Sequence, residues 1–255
     1  MMSGALSCQG LTKRYGATLA VDHLDLTVPT GSLFGLVGPN GAGKTTTLSM
    51  ATGLLRPDSG VVTVDGQDVW ADVRRAHRVL GVLPDGLATM DRLSGPELVE
   101  YTGRLHGLPR AQAAERAAEL LDVLDLPDVD RTLVVDYSAG MKKKVGLACA
   151  LVHGPRVLVL DEPFEAVDPV SGTTIRALLA RFTAGGGTVV VSSHVMALVE
   201  QLCDHVAVIV AGRVVAAGTV DEVRGDGTLE ERFVALSGGS RELGGGLTWL
   251  ASSSD

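Results

Sequence analysis

Cysteine is scarce in this 255-residue chain, and the three present, Cys8, Cys149 and Cys203, stand far apart without metal-ligand spacing. They are expected to act as small apolar residues in a reducing compartment, which points to a cytoplasmic protein. Basic residues are outnumbered, 22 Lys and Arg against 30 Asp and Glu, leaving a formal charge of −8. That balance argues against the basic surface that phosphate backbones require, so no nucleic-acid partner is expected. No apolar run reaches the ~18 residues of a bilayer span. The segment from Met1 to Gln9 lacks the basic and apolar regions of a secretory leader, and none is expected. What the chain does have is a globular composition, 45% hydrophobic and 20% charged. At about 150 residues per domain, the length favours one large domain with room for a subdomain.

Short strand-like runs alternate with helical stretches, the pattern of an α/β fold. Leu24 to Val28 alternates apolar and polar residues, as a half-covered strand does. Leu33–Val37, Val157–Leu160 and Thr188–Val191 are continuous apolar runs, the signature of strands covered on both faces. Ser94 with Glu97 forms a capping-box pattern opening a helix that ends near Gly107, and Arg110 to Leu124 reads as a second helix. Residues 84 to 136 carry helical signals and no strand signal, so this region is expected to be an α-helical insert in the α/β body. After Asp226 the chain is rich in Gly and Ser around one helical stretch, Leu229 to Leu236. Residues 1–236 are read as one domain with a helical subdomain over about 84–154, and 237–255 as a short mobile tail.

Gly38-Pro39-Asn40-Gly41-Ala42-Gly43-Lys44-Thr45 fits the phosphate-binding loop pattern G-x-x-x-x-G-K-S/T between a strand and a helix. Its glycines let backbone N–H groups approach phosphate oxygens, and the following helix adds its positive N-terminal end. Lys44 supplies a point charge to the phosphates, the Thr45 hydroxyl is a Mg²⁺ ligand, and Thr46 is counted with the phosphate contacts. Guanine-specific enzymes of this class read their base with Asn-Lys-x-Asp. The only asparagine is Asn40, inside the loop itself, so that motif is absent and GTPases are excluded.

The run Val157 to Leu160 ends in Asp161 and Glu162. A strand buried on both faces delivers Asp161 to the sheet edge where doubly wound folds bind ligands, and there it can hold Mg²⁺. Side-chain alternation is expected to turn Glu162 the other way, as the base that polarises an attacking water. His194 follows the next apolar strand, where it can contact phosphate or orient the water. The other five histidines are read as surface or packing residues.

The order of these motifs resembles the ATP-binding cassette (ABC) ATPases over Leu6 to about Leu236. The resemblance implies a RecA-like parallel sheet, an antiparallel β subdomain and the helical insert, with ATP and Mg²⁺ bound. Tyr15 is at the position where this family stacks a ring on adenine. Ala166-Val167-Asp168-Pro169 looks like the D-loop, which brings Asp168 into the site, and His194 resembles the switch histidine. Tyr137-Ser138-Ala139-Gly140-Met141 stands where the family has Leu-Ser-Gly-Gly-Gln; Ser138 and Gly140 are kept. Ser138 is expected to cap a helix whose end holds the γ-phosphate of a paired subunit. Lys142-Lys143-Lys144 are read as a solvated face. In the loop that usually carries a Mg²⁺-sensing glutamine, Asp85 takes that place as a metal ligand.

The resemblance implies an ATP-hydrolysing subunit that powers a separate transmembrane permease from the inner face of the membrane, with a second ABC subunit as partner. Single cassettes of this kind resemble bacterial exporter subunits. A ribosome- or DNA-acting ABC ATPase is disfavoured by the single phosphate loop, the absence of sustained heptads and the acidic charge. An ATP-dependent dimerisation switch that does not hydrolyse is a further reading, disfavoured by the presence of both Glu162 and His194.

Overall fold

The computed structural model describes residues 4–86, 92–126 and 132–237. Strands β1 (Gly4–Tyr15) and β2 (Thr18–Pro29) form a hairpin, and β3 (Leu33–Val37) leads into α1 (Lys44–Ala51). Next come β4 (Ser59–Val64), β5 (Gln67–Asp68), the single turn α2 (Val73–Ala76) and β6 (Leu80–Leu83). Three longer helices follow: α3 (Gly95–Leu105), α4 (Arg110–Val123) and α5 (Ala139–Leu151). The chain then returns through β7 (Val157–Leu160), α6 (Pro169–Ala184), β8 (Thr188–Ser193) and α7 (Met196–Leu202). It continues with β9 (His205–Val210), β10 (Arg213–Thr219), α8 (Val220–Arg224) and α9 (Leu229–Leu236). Beyond Ser237, the expected tail lies outside the described residues.

Two sheets organise these elements. One has six strands in the order β10-β9-β3-β8-β7-β6, parallel from β9 to β6 with β10 antiparallel at the edge. The other is antiparallel, β2-β1-β4-β5. In the central strands β3, β7 and β8 every residue is buried, as their uninterrupted apolar runs require. Alternation then splits their side chains between two cores. Leu33, Val37, Leu158, Leu160, Val189 and Val191 join a core with the helices of the insert and with α6 and α7. Phe34, Leu36, Val157, Val159 and Val190 join the other, against α1 and the antiparallel sheet. Each such side chain contributes roughly 1.5–3 kcal/mol on burial, so these runs supply much of the drive for the sheet.

Two glycines set how closely helices lie on this sheet. A Cβ on Gly35 would stand 2.3 Å from Val199 Cγ1 of α7, and one on Gly81 would stand 2.1 Å from the Ala150 carbonyl of α5. Helix α5 therefore rests directly on β6. The insert begins with the expected capping box, in which Ser94 and Glu97 satisfy each other's backbone N–H groups. The Tyr137 hydroxyl accepts a hydrogen bond from Gly95 N–H at 3.0 Å, tying the start of α3 to the residue before Ser138.

Candidate functional site

The C-terminal ends of β3 and β7, and the residues just after β8, converge at one edge of the parallel sheet. After β3 the backbone turns sharply at Gly38, where a Cβ would sit 2.3 Å from the Ile209 carbonyl. Gly43 has φ +103° and a Cβ there would meet the Ala20 carbonyl at 2.5 Å, so only glycine fits before the helix. Ala42 N–H closes a turn onto the Pro39 carbonyl at 3.1 Å. Helix α1 starts without a side-chain cap and without an acidic residue in its first turn, which leaves its N-terminal dipole for an anion. Lys44 is buried, its amine donating to the carbonyls of Gly38 (2.9 Å) and Pro39 (3.3 Å).

At the end of β7, Asp161 N–H donates to the Leu83 carbonyl at 2.8 Å, and its buried carboxylate accepts a hydrogen bond from Ser192 Oγ. The same hydroxyl accepts from Glu162 N–H at 2.9 Å. Ser192 thus bridges β8 to both acids, a role the sequence reading missed because a lone serine closing an apolar run carries no motif of its own. The reading that strand alternation aims Glu162 is corrected here. The strand ends at Leu160 and Glu162 has φ +46°, so a left-handed residue rather than pleat alternation directs its side chain. Glu162 Oε1 lies 3.7 Å from the Lys44 amine and 3.1 Å from His194 Nδ1. Since a carboxylate has no proton to give, the His194 Nδ1–H donates.

Tyr15, Asn40, Gly41, Gly43, Lys44 and Thr45 line a cavity of about 590 Å³ together with Thr46, Asp85, Glu162 and His194. Ala20 and Glu165, neither of them singled out from the sequence, complete its wall. Tyr15 ends β1 with 51% of its surface exposed, and the Lys13 ammonium lies 5.9 Å from its ring centroid. Gly38, Pro39, Ala42 and Asp161 stand behind the lining as its framework. Asp85 is half exposed and accepts from Gly86 N–H at 2.9 Å.

Ser138, Gly140 and Asp168 are not part of this cavity. Ser138 caps α5, accepting from Met141 N–H at 3.2 Å. A Cβ on Gly140 would come within 3.2 Å of the Ala166 carbonyl, so the tip of α5 abuts the loop before α6. Asp168 caps α6 through Val170 and Ser171 N–H, both at 3.0 Å, and the hydrogen bonds to Ser171 hold its carboxyl below the usual range. The lysine run is not a solvated face, a correction to the sequence reading. Lys144 is buried, and Lys143 donates to the Asp161 carbonyl at 3.4 Å while lying 3.7 Å from Asp85. Lys142 reaches the Val135 carbonyl at 3.1 Å.

Among the described residues, no three acidic, histidine or cysteine side chains form a metal cage. Thr45, Asp161 and Asp85 nevertheless offer hard oxygen donors beside the phosphate loop. That fits Mg²⁺, which takes few protein ligands and retains phosphate and water oxygens.

The family model described as "ABC transporter" matches residues 21–165. The daunorubicin resistance ATP-binding protein DrrA3 of Streptomyces coeruleorubidus is 41% identical over 229 residues, 89% of this chain and 72% of that protein. The linearmycin resistance ATP-binding protein LnrL of Bacillus subtilis is 36% identical, covering 84% of this chain and 69% of its own length. Among solved structures, an ATP-binding subunit of an ABC transporter superposes with a TM-score of 0.85 at 28% identity. That match covers 91% of this chain and 99% of the other.

Proposed function

Because the chain belongs to the ABC transporter ATP-binding family and is an ABC ATPase, we propose that it works as one of two paired cassettes powering a separate membrane permease, in an exporter. The observation that carries the reading is Glu162, held between Lys44 and His194 in the cavity at the mouth of the phosphate loop. Export is supported by relatives named for daunorubicin and linearmycin resistance. A separate permease is supported by the described residues, none of whose helices is long and apolar enough to cross a membrane. Pairing is supported by the helix tip at Ser138 and Gly140, which does not line the cavity of its own chain. Those groups serve the nucleotide of a second subunit.

ATP is the substrate. The loop from Gly38 to Thr46 binds its phosphates, Tyr15 stacks on adenine, and Lys44 faces the β- and γ-phosphates. Glu162 takes a proton from the water whose oxygen bonds to the γ-phosphorus. The bond from that phosphorus to the bridging oxygen then breaks, leaving ADP and phosphate. His194 orients Glu162 through Nδ1–H, a task that needs only the neutral ring. Thr45, Asp161 and Asp85 would hold Mg²⁺, which when bound neutralises charge on the phosphates. Loss of the γ-phosphate removes the bridge to the second subunit and shifts the population toward separated cassettes.

Phosphate release by the purified protein with ATP and Mg²⁺ tests this directly. Glu162→Gln is expected to slow release at least ~100-fold, the usual reach of a general base, while nucleotide still binds and dimers accumulate. Wild-type protein that releases no phosphate even with its membrane partner would sink hydrolysis and leave the dimerisation switch. A nucleotide-saturated Glu162→Gln protein that stays monomeric would remove the pairing.

A further inference from the structure

Helix α5 carries three consecutive lysines, and only Lys143 reaches both segments that end in candidate metal carboxylates. Its amine donates to the Asp161 carbonyl at 3.4 Å and lies 3.7 Å from Asp85 Oδ1. The two partners differ in freedom. Asp161 is buried and its carboxylate is engaged by Ser192, whereas Asp85 sits on the turn after β6 with about half its side chain exposed. Lys143 itself is 16% exposed, and its helix cannot slide inward because the Gly81 contact leaves no space between α5 and β6. The movable member of the pair is therefore Asp85.

We propose that Lys143 is a positioning residue that holds Asp85 by an ion pair the carboxylate must give up to a divalent cation, so that Lys143 sets the Mg²⁺ concentration at which nucleotide is held. The proposal rests on the reading of Asp85 as a metal ligand. One carboxylate oxygen cannot serve both cations at full strength. The exchange ties α5, whose tip carries Ser138 and Gly140, to the loading of the neighbouring nucleotide cavity. A half-exposed pair of this kind is worth ~0–1 kcal/mol, and that bounds the effect to about fivefold in concentration.

The test is a Mg²⁺ titration of the full chain with saturating non-hydrolysable adenylyl imidodiphosphate, reading the rise in melting temperature. Lys143→Met is expected to lower the half-maximal Mg²⁺ concentration about two- to fivefold, the bound set by a half-exposed pair. Lys143→Arg is expected to leave it near the wild-type value. Asp85→Asn is expected to raise it, and Lys143→Met added to Asp85→Asn should produce no further change. Lys143→Gln serves as a second neutral variant if Lys143→Met lowers the melting temperature without nucleotide. An unchanged midpoint in both neutral variants, or a shift that persists in the Asp85→Asn background, would overturn the ion-pair exchange. If Asp85→Asn titrates like wild type, Asp85 is no metal ligand and the proposal falls with that reading. If Asp85→Asn weakens Mg²⁺ and the neutral variants do nothing, the ligand stands and only the role of Lys143 is lost.

Discussion

At the scale of single residues, Ser192 holds the chemistry together. One hydroxyl donates to Asp161 and accepts from Glu162 N–H, so Ser192→Ala leaves the buried Asp161 carboxylate and the partly buried Glu162 N–H without this partner. The expected loss of stability is about 1–3 kcal/mol, with a slower phosphate release because Glu162 loses its backbone anchor. Chemical denaturation and a phosphate assay on the same variant check both. Tyr15 offers a separable test. Tyr15→Ala is expected to weaken ATP binding by about 1–3 kcal/mol by calorimetry, while Tyr15→Phe keeps the ring face and stays near wild type. A Tyr15→Ala protein with unchanged affinity would make this tyrosine a strand residue only. The cysteines should be chemically quiet. Burial pushes Cys8 up to about 12 and Cys149 up to about 11, so neither is a thiolate at neutral pH.

At the scale of elements, the contact between α5 and β6 decides whether Lys143 and Asp85 meet. Gly81→Ala would put a methyl group 2.1 Å from the Ala150 carbonyl, and backbone cannot yield as a side-chain tip can. The expected cost is ~1–3 kcal/mol of overpacking, read as a lower denaturant midpoint. The same displacement should lengthen the Lys143–Asp85 contact, so this variant should titrate Mg²⁺ like Lys143→Met. Gly35→Ala, which crowds α7 instead, is expected to destabilise the fold without moving the Mg²⁺ midpoint. A common response in both variants would show that loosening the fold in general, rather than the α5 contact, governs metal binding.

At the scale of the whole molecule, a histidine pair joins the insert to the body. His106, the C-cap of α3, stacks on His153 with ring centroids 3.7 Å apart. His153 donates from Nε2 to the Leu80 carbonyl at 3.1 Å, while its Nδ1 is buried without a partner. Burial is the main reason its pKa falls to about 4; the nearby His106, Arg116 and His77 lower it further. The unfolded chain therefore takes up a proton at this site near pH 6.5, whereas the folded chain resists it until about pH 4. Stability contributed here is present above pH 6.5 and declines as the pH falls toward 4. Melting temperatures recorded from pH 7.5 down to pH 4.5 should fall less steeply in His153→Phe than in wild type. Equal slopes would remove His153 from the acid sensitivity of the fold.

Much of this protein is written in local patterns. The apolar runs at Leu33, Val157 and Thr188 became the buried central strands because every side chain in them must be covered. The phosphate loop, the Ser94 capping box and the Ser138 cap were legible because each depends on residues a few positions apart. Tertiary structure alone decided the rest. The direction of Glu162 depends on a left-handed residue pinned by a serine 30 positions away, and periodicity cannot report that. The three lysines after the helix cap look like a wet face in one dimension, yet Lys144 is buried and the close seating of α5 on β6 brings Lys143 to the Asp85 carboxylate and the Asp161 carbonyl, two groups far apart in sequence. Spacing along the chain encodes hydrogen bonds within a turn or a cap. Contacts between segments depend on how closely helices and sheet can approach, and that distance exists only after they pack.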